Sequence, residues 1–229
     1  MRGELTGKAA EIDRLLAEEY GKRTFSGGKD PLSELIFTIL SQNTNDLNRD
    51  RAFKSLKAAF PDWDDVAVAD AGHLAEAIRV GGLADTKARR ILKLLKNIKK
   101  VHGKLNLDFL QEWPDEKISD YLLQIDGVGP KTVACVLAFS LGRDVMPVDT
   151  HVRRVSERLG ILPRRLSDRA AHDYFLKLRG VVSLYRFHLN LIRHGRRVCR
   201  AQKPRCRACV VSGLCDYAER ANSIQREAV

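Results

Sequence analysis

The sequence predicts an all-α protein, and three observations carry that prediction. Apolar residues recur at three- and four-residue intervals along most of the chain, the spacing of one buried helix face. No segment keeps a period-two alternation, and no short turn joins two β-branched runs. The apolar runs break at proline, glycine or polar residues that cap helices, as in Asp30-Pro31 and at Gly160.

The elements follow in order. Residues 5–20 place Ala9, Ile12, Leu15, Leu16 and Tyr20 at helical spacing. Residues 24–30 (TFSGGKD) form a loop, and Asp30-Pro31 opens a helix over 31–40. The polar run 41–46 (SQNTND) reads as a cap and turn. Residues 49–60 form a helix ended by Pro61, and 63–80 hold one or two more, the second starting at Asp70 or Ala71. The turn Gly81-Gly82-Leu83 leads to a helix over 85–101 with Ile91, Leu94, Leu95, Ile98 and Val101 as its buried stripe. Lys87, Arg89, Arg90, Lys93, Lys96, Lys99 and Lys100 crowd the rest of that helix, mostly as a solvated basic face. Residues 107–118 give a short helix and turn, and the run 121–125 stops at Asp126. After the turn Gly127-Val128-Gly129-Pro130, helices are expected over 131–141, 152–159, 167–178 and 180–193. There is no internal repeat and no low-complexity segment.

The chain has 229 residues, room for one large domain or two small ones, and its 44% apolar content is enough for a core. A formal charge of +11 calls for an acidic partner, nucleic acid first and an anionic membrane surface second. No apolar run approaches a membrane span. The N-terminus mixes acids and bases, unlike a signal or transit peptide, so a cytoplasmic protein is expected, nucleoid-associated if prokaryotic.

Four of the five cysteines, Cys199, Cys206, Cys209 and Cys215, fall within 17 residues as C-x6-C-x2-C-x5-C. In an intracellular chain such a cluster binds metal rather than forming disulfides. Zinc and an iron–sulfur cubane both suit four thiolates on one loop, and spacing alone leaves both open. Cys135, alone in an apolar helix, reads as a core residue. His194 precedes the cluster, His188 reads as a satisfied core histidine, and His73, His102 and His172 as surface or helix-end residues.

The stretch 121–154 concentrates the chemistry. Two glycines around Val128 permit a hairpin with positive φ, and Pro130 suits the first turn of the next helix. The amides of that helix start would face an anion, in a basic protein a nucleic-acid phosphate. Lys131 sits at its mouth, where positive potential favours the neutral amine, the form able to build a Schiff base. Asp149 follows 18 residues later, placed to manage protons or stabilise a cation. Taken alone, the two residues fit a solvated lysine and a helix cap better than a catalytic pair. His151 would either orient the backbone there or pack.

The segments LLQIDGVGPKTVACVL and VDTHVRRVSERLG resemble the helix-hairpin-helix and Gly/Pro-Asp motif of the endonuclease III family of DNA glycosylases. RHGRRVCRAQKPRCRACVVSGLCDYAE resembles that family's [4Fe–4S] loop, and the likeness runs from about residue 31 to 217. It implies a two-part helix-hairpin-helix DNA glycosylase fold. Residues 31–141 would form a six-helix bundle domain; residues 1–30 and 142–229 would form a helical [4Fe–4S] domain, with the DNA cleft between them. It makes Lys131 the Schiff-base lysine and Asp149 the catalytic aspartate. Gly127, Val128, Gly129, Thr132 and His151 would contact DNA. Asn43, with Gln42 as competitor, would fill the space of a flipped nucleotide, and Leu83 would wedge the stack. Cys199, Cys206, Cys209 and Cys215 would bind a mainly structural [4Fe–4S] cluster, with Arg200, Lys203 and Arg205 presented to phosphate. The implied function is a monomeric base-excision-repair glycosylase/AP lyase that acts on damaged double-stranded DNA, with oxidised pyrimidines as substrates. Two residues depart from the family: glutamine is common where Asn43 stands, and tyrosine where Ala84 stands. The alternatives are a monofunctional adenine or thymine/uracil glycosylase, a branch that generally lacks lysine at 131, and a non-catalytic DNA-binding module.

Overall fold

The structure, a computed structural model, describes residues 2–220. Among them lie α1 (Arg2–Tyr20), α2 (Pro31–Leu40), α3 (Asp46–Ala59), α4 (Trp63–Val68), α5 (Ala71–Ala77) and α6 (Ala84–His102). The second half adds α7 (Asp115–Leu123), α8 (Pro130–Phe139), α9 (Thr150–Leu159), α10 (Asp168–Leu176) and α11 (Leu184–Arg197). Short 3-10 turns join them. No strand occurs among the described residues; Arg179 and Val182 make one isolated bridge. The all-α expectation holds. No described helix is long and apolar enough to cross a membrane.

Side-chain caps set most helix starts. Asp30 accepts from Ser33 N at 2.8 Å, and Pro31 occupies the first turn of α2. Asn45 accepts from Asn48 N at 2.9 Å, which starts α3 three residues before the expected position. Helix α11 starts at 184 rather than 180 because Ser183 is its cap and Gly180, at φ 79°, turns the chain before it. It then runs four residues past the expected end, to Arg197. Residues 115–123 form one helix where the sequence suggested two broken pieces.

The chain divides into two compact units, residues 27–142 and residues 1–26 with 143–229. In the first, α2 packs against α8, α3 and α6, burying Leu32, Leu35, Ile36, Ile39 and Leu40. Helix α6 buries Ile91, Leu94, Leu95 and Ile98 as its apolar period requires. Val101, expected in the same stripe, is 61% exposed in the last turn. Lys87, expected on the solvated face, is instead buried, only 1% exposed, because its amine turns inward onto backbone carbonyls.

In the second unit α11 packs against α9 and α1. Ile12, Leu16, Val152, Val155, Phe175, Phe187 and Leu191 form its core. Gly195 permits the close crossing of α11 over α9: a Cβ there would stand 3.1 Å from Val155 Cγ2 and 3.2 Å from His151 Cβ. The buried Asp13 of α1 is met by the Arg186 guanidinium of α11 in an ion pair.

Gly160 closes α9 at φ 78°, and its Cβ would fall 2.0 Å from Asp216 Oδ2, a carboxylate bonded to Lys8 at 2.5 Å. Gly160→Ala is therefore expected to cost about 1 kcal/mol or more, from left-handed strain and from displacing Asp216. The check is a lowered urea midpoint at unchanged slope.

Candidate functional site

The hairpin is built from α7, the turn and α8. Val128 N donates to Ile125 O at 3.0 Å, and Gly127 takes φ 80°. Gly129 is extended and caps α8, accepting from Thr132 and Val133 through its carbonyl. Val128 and Thr132 are buried, whereas Gly127 is exposed. Gly127 also lies under Arg90: a Cβ there would sit 3.4 Å from Arg90 Cδ. Pro130 has no N–H and the Thr132 and Val133 amides are taken by Gly129 O, so it is the positive end of the α8 dipole that favours an anion here.

Lys131 is the second residue of α8 and is half-buried. Within the same unit it acts electrostatically on Glu34 and Cys135. Burial raises the Glu34 carboxyl above its usual range, opposed by Lys29 and then Lys131. Burial also pushes the Cys135 thiol up, again opposed by Lys131. Glu34, 5% exposed with Thr38 as its hydroxyl neighbour, had no signal in the sequence beyond being an acid inside an apolar run.

Asp149 caps α9, with Oδ1 accepting from Val152 N at 2.7 Å. The cap expected from the sequence is therefore present. The residue before it is held by His172, whose Nε2 accepts the Val148 amide at 3.0 Å while Nδ1–H donates to Asp168 O at 2.7 Å. His172 is thus not a plain helix-end residue: it fixes the backbone that delivers Asp149, and only the neutral tautomer does so. His151 Nδ1 lies 3.1 Å from Arg154 Nη2. His102 is likewise engaged, with Nε2 2.8 Å from Tyr121 Oη.

Asn43 and Leu83 are both exposed, and both adopt φ 51°. A side-chain-bearing residue at positive φ is uncommon, and a bulky leucine there is an outlier that its surroundings must hold. Gln42 is half-buried, with Oε1 accepting from Arg90 Nη1 at 2.9 Å.

The cysteine loop has little regular structure and is held by its carbonyl groups. Arg154 donates to Gly195 O at 2.9 Å and Cys199 O at 3.1 Å; Arg158 donates to Arg200 O at 2.6 Å and Ala201 O at 2.9 Å. Both arginines belong to α9, one turn apart, and sequence reasoning passed over them because an i, i+4 arginine pair looks like any solvated face. His194 stands between Tyr20 Oη at 3.0 Å and Cys209 Sγ at 3.4 Å, and burial holds it neutral, down at about 4. Arg200, Lys203 and Arg205 are exposed. All four cysteines line one small, mostly apolar pocket. Among the described residues no three of His, Cys, Asp or Glu are arranged to hold a single metal ion. Four thiols around one shared space fit a four-iron cubane, in which each thiolate holds a different iron. Burial pushes the Cys209 thiol up to about 11, so a metal group there has to displace protons.

A hairpin that presents helix amides, set in an all-α basic chain, defines a DNA-binding protein of the helix-hairpin-helix class. Residues 36–178 match the HhH-GPD superfamily of base excision DNA repair proteins, and the chain belongs to that family as an endonuclease III-like DNA glycosylase. An Arabidopsis thaliana relative is 45% identical over 133 residues, spanning 58% of this chain and 45% of that protein. Endonuclease III of Sulfolobus acidocaldarius is 35% identical over 191 residues, covering 82% of this chain and 83% of its own. A solved non-covalent endonuclease III–DNA complex superposes with a TM-score of 0.80 at 26% identity, covering 95% of this chain and 98% of that one.

Burial holds His172 below the ordinary imidazole value of 6.5. The unfolded chain therefore takes up this proton first as pH falls, so the stabilisation is full above about pH 6.5 and is lost as acid is added below it. Urea unfolding from about pH 7.5 to about pH 5 should show that loss in the wild type and a shallower slope in His172→Asn.

Proposed function

We propose that this chain is a bifunctional DNA glycosylase/AP lyase. It acts as a monomer on damaged duplex DNA, in the cytoplasm or at a prokaryotic nucleoid, and removes oxidised pyrimidines. The observation that carries the reading is Lys131, an amine at the second position of α8 directly behind the hairpin in a member of this family. The monofunctional branch generally lacks a lysine there. A non-catalytic binding module would need neither Lys131 nor Asp149.

Hairpin amides and exposed Arg200, Lys203 and Arg205 engage phosphates. The damaged nucleotide leaves the stack, which costs least when its pairing is already weak. Leu83 and Asn43 take its place. The lone pair of neutral Lys131 Nζ bonds to C1′ as the C1′–N bond breaks, and the base leaves with that electron pair and takes a proton. Asp149 stabilises the cationic sugar and moves protons between the amine and the ring oxygen. Opening of the sugar gives the iminium; loss of a C2′ proton then expels the 3′ phosphate by β-elimination. Cys199, Cys206, Cys209 and Cys215 would hold a [4Fe–4S] cluster whose contribution is structural: it would crosslink the loop that Arg154 and Arg158 bond to α9, the helix that Asp149 caps.

Borohydride trapping on a duplex bearing one thymine glycol tests the reaction. The wild type should give a covalent protein–DNA adduct and Lys131→Ala none. Asp149→Asn should trap at least about 100-fold more slowly. Base release without an adduct would move the chain to the monofunctional class. Purified protein should contain iron with acid-labile sulfide, both lost in Cys206→Ser; zinc without sulfide would sink the cubane.

A further inference from the structure

Lys87 is among the most deeply buried large side chains of the molecule, 1% exposed. Its Nζ donates to two backbone carbonyls at 2.8 Å each, Leu40 O and Gly81 O. Leu40 is the last residue of α2, directly before the run that carries Gln42 and Asn43. Gly81 ends the 3-10 turn before Gly82 and Leu83. One ammonium thus joins the roots of two loops far apart in sequence. At the tips of those loops stand the two strained residues of this unit, Asn43 and Leu83, both at φ 51°.

Three further facts bear on what the ammonium is for. First, burial shifts the Lys87 amine down from its ordinary value. Second, burying a charge against neutral carbonyls is costly, so a methionine of similar length would serve packing as well or better. Third, a left-handed leucine persists only where surrounding structure over-determines it. Arg90, three residues along α6, repeats the arrangement by bonding Gln42 at 2.9 Å.

We propose that Lys87 is a positioning residue that clamps the Asn43 and Leu83 loops into one rigid gap-filling unit. The two tips then enter the DNA stack together, so that a nucleotide is extruded by one concerted insertion. The proposal rests on the gap-filling roles given to Asn43 and Leu83 above, and does not depend on the chemistry of Lys131.

The test uses the full chain and a duplex with a tetrahydrofuran abasic analogue opposite 2-aminopurine. The analogue has no aldehyde, so Schiff-base chemistry plays no part. The wild type should raise 2-aminopurine fluorescence on binding, and Leu83→Ala and Asn43→Ala should lower that rise. Lys87→Met should melt at or above the wild-type temperature and bind within about threefold of wild-type affinity, since phosphate contacts dominate affinity. It should nevertheless lose most of the fluorescence rise, and adding Leu83→Ala to it should cost little more. A full rise from folded Lys87→Met overturns the clamp alone. No rise from the wild type, or a full rise from both Leu83→Ala and Asn43→Ala, sinks the gap-filling roles and the clamp with them. A rise that falls only with the folded fraction marks a purely structural lysine and also overturns the proposal. Lys87→Gln, too short to span both carbonyls, stands in if Lys87→Met does not fold. If neither folds, hydrogen exchange on the wild type decides: residues 41–45 and 81–84 should open as one unit, and independent opening overturns the clamp.

Discussion

Arg154 and Arg158 grip the cysteine loop by the carbonyl oxygens of Cys199, Arg200 and Ala201, and Arg154 also bonds Gly195 O in the last turn of α11. A loop without regular structure has no ladder to satisfy such groups, and unpaired carbonyls near a core are costly. Two guanidiniums, each with several donors in fixed directions, meet that demand from one helix. The same helix, α9, begins at the Asp149 cap and buries Val152, Val155 and Leu159 in its unit's core. Loop, core and aspartate therefore share one rigid element. Gly195 leaves room for this, since a Cβ there would stand 3.1 Å from Val155 Cγ2 and 3.2 Å from Arg154 Nη2 and His151 Cβ.

Helix α6 has the corresponding part in residues 27–142. Its apolar stripe is sunk against the bundle, while Lys87, Arg90 and Lys93 follow one another at three-residue steps along a neighbouring face. Lys87 reaches the carbonyls of Leu40 and Gly81, Arg90 reaches Gln42 and lies over Gly127, and Lys93 pairs with Asp126 at 2.8 Å. The Lys93–Asp126 pair is exposed on both sides and adds little stability. Its use is geometric, since it belongs to a row of cations tying three loops to one rigid rod.

Much of the fold was legible because its signals are local. Asp30-Pro31, Gly127 to Pro130, Asp149 and Gly160 mark helix ends by backbone chemistry that a few neighbouring residues decide. Periodicity found the buried faces of α2 and α6. Boundaries moved where a cap lay a few residues from the apolar run, as with Asn45 and Ser183. Val101 fell outside its stripe because periodicity gives a face and not how far along the helix the neighbours extend.

By itself the sequence determined the helical class, the hairpin, the cap at Asp149 and the cysteine spacing, all of which rest on interactions within a few residues along the chain. The tertiary structure alone decided what Lys87, Glu34, Arg154, Arg158 and His172 do. Each looks like an ordinary polar residue in its own helix. Each acquires its role from a partner or an environment that long-range folding supplies: a distant carbonyl, a distant amide, or burial against another helix. Desolvation and hydrogen-bond geometry are properties of that assembled surrounding, and no local pattern encodes them.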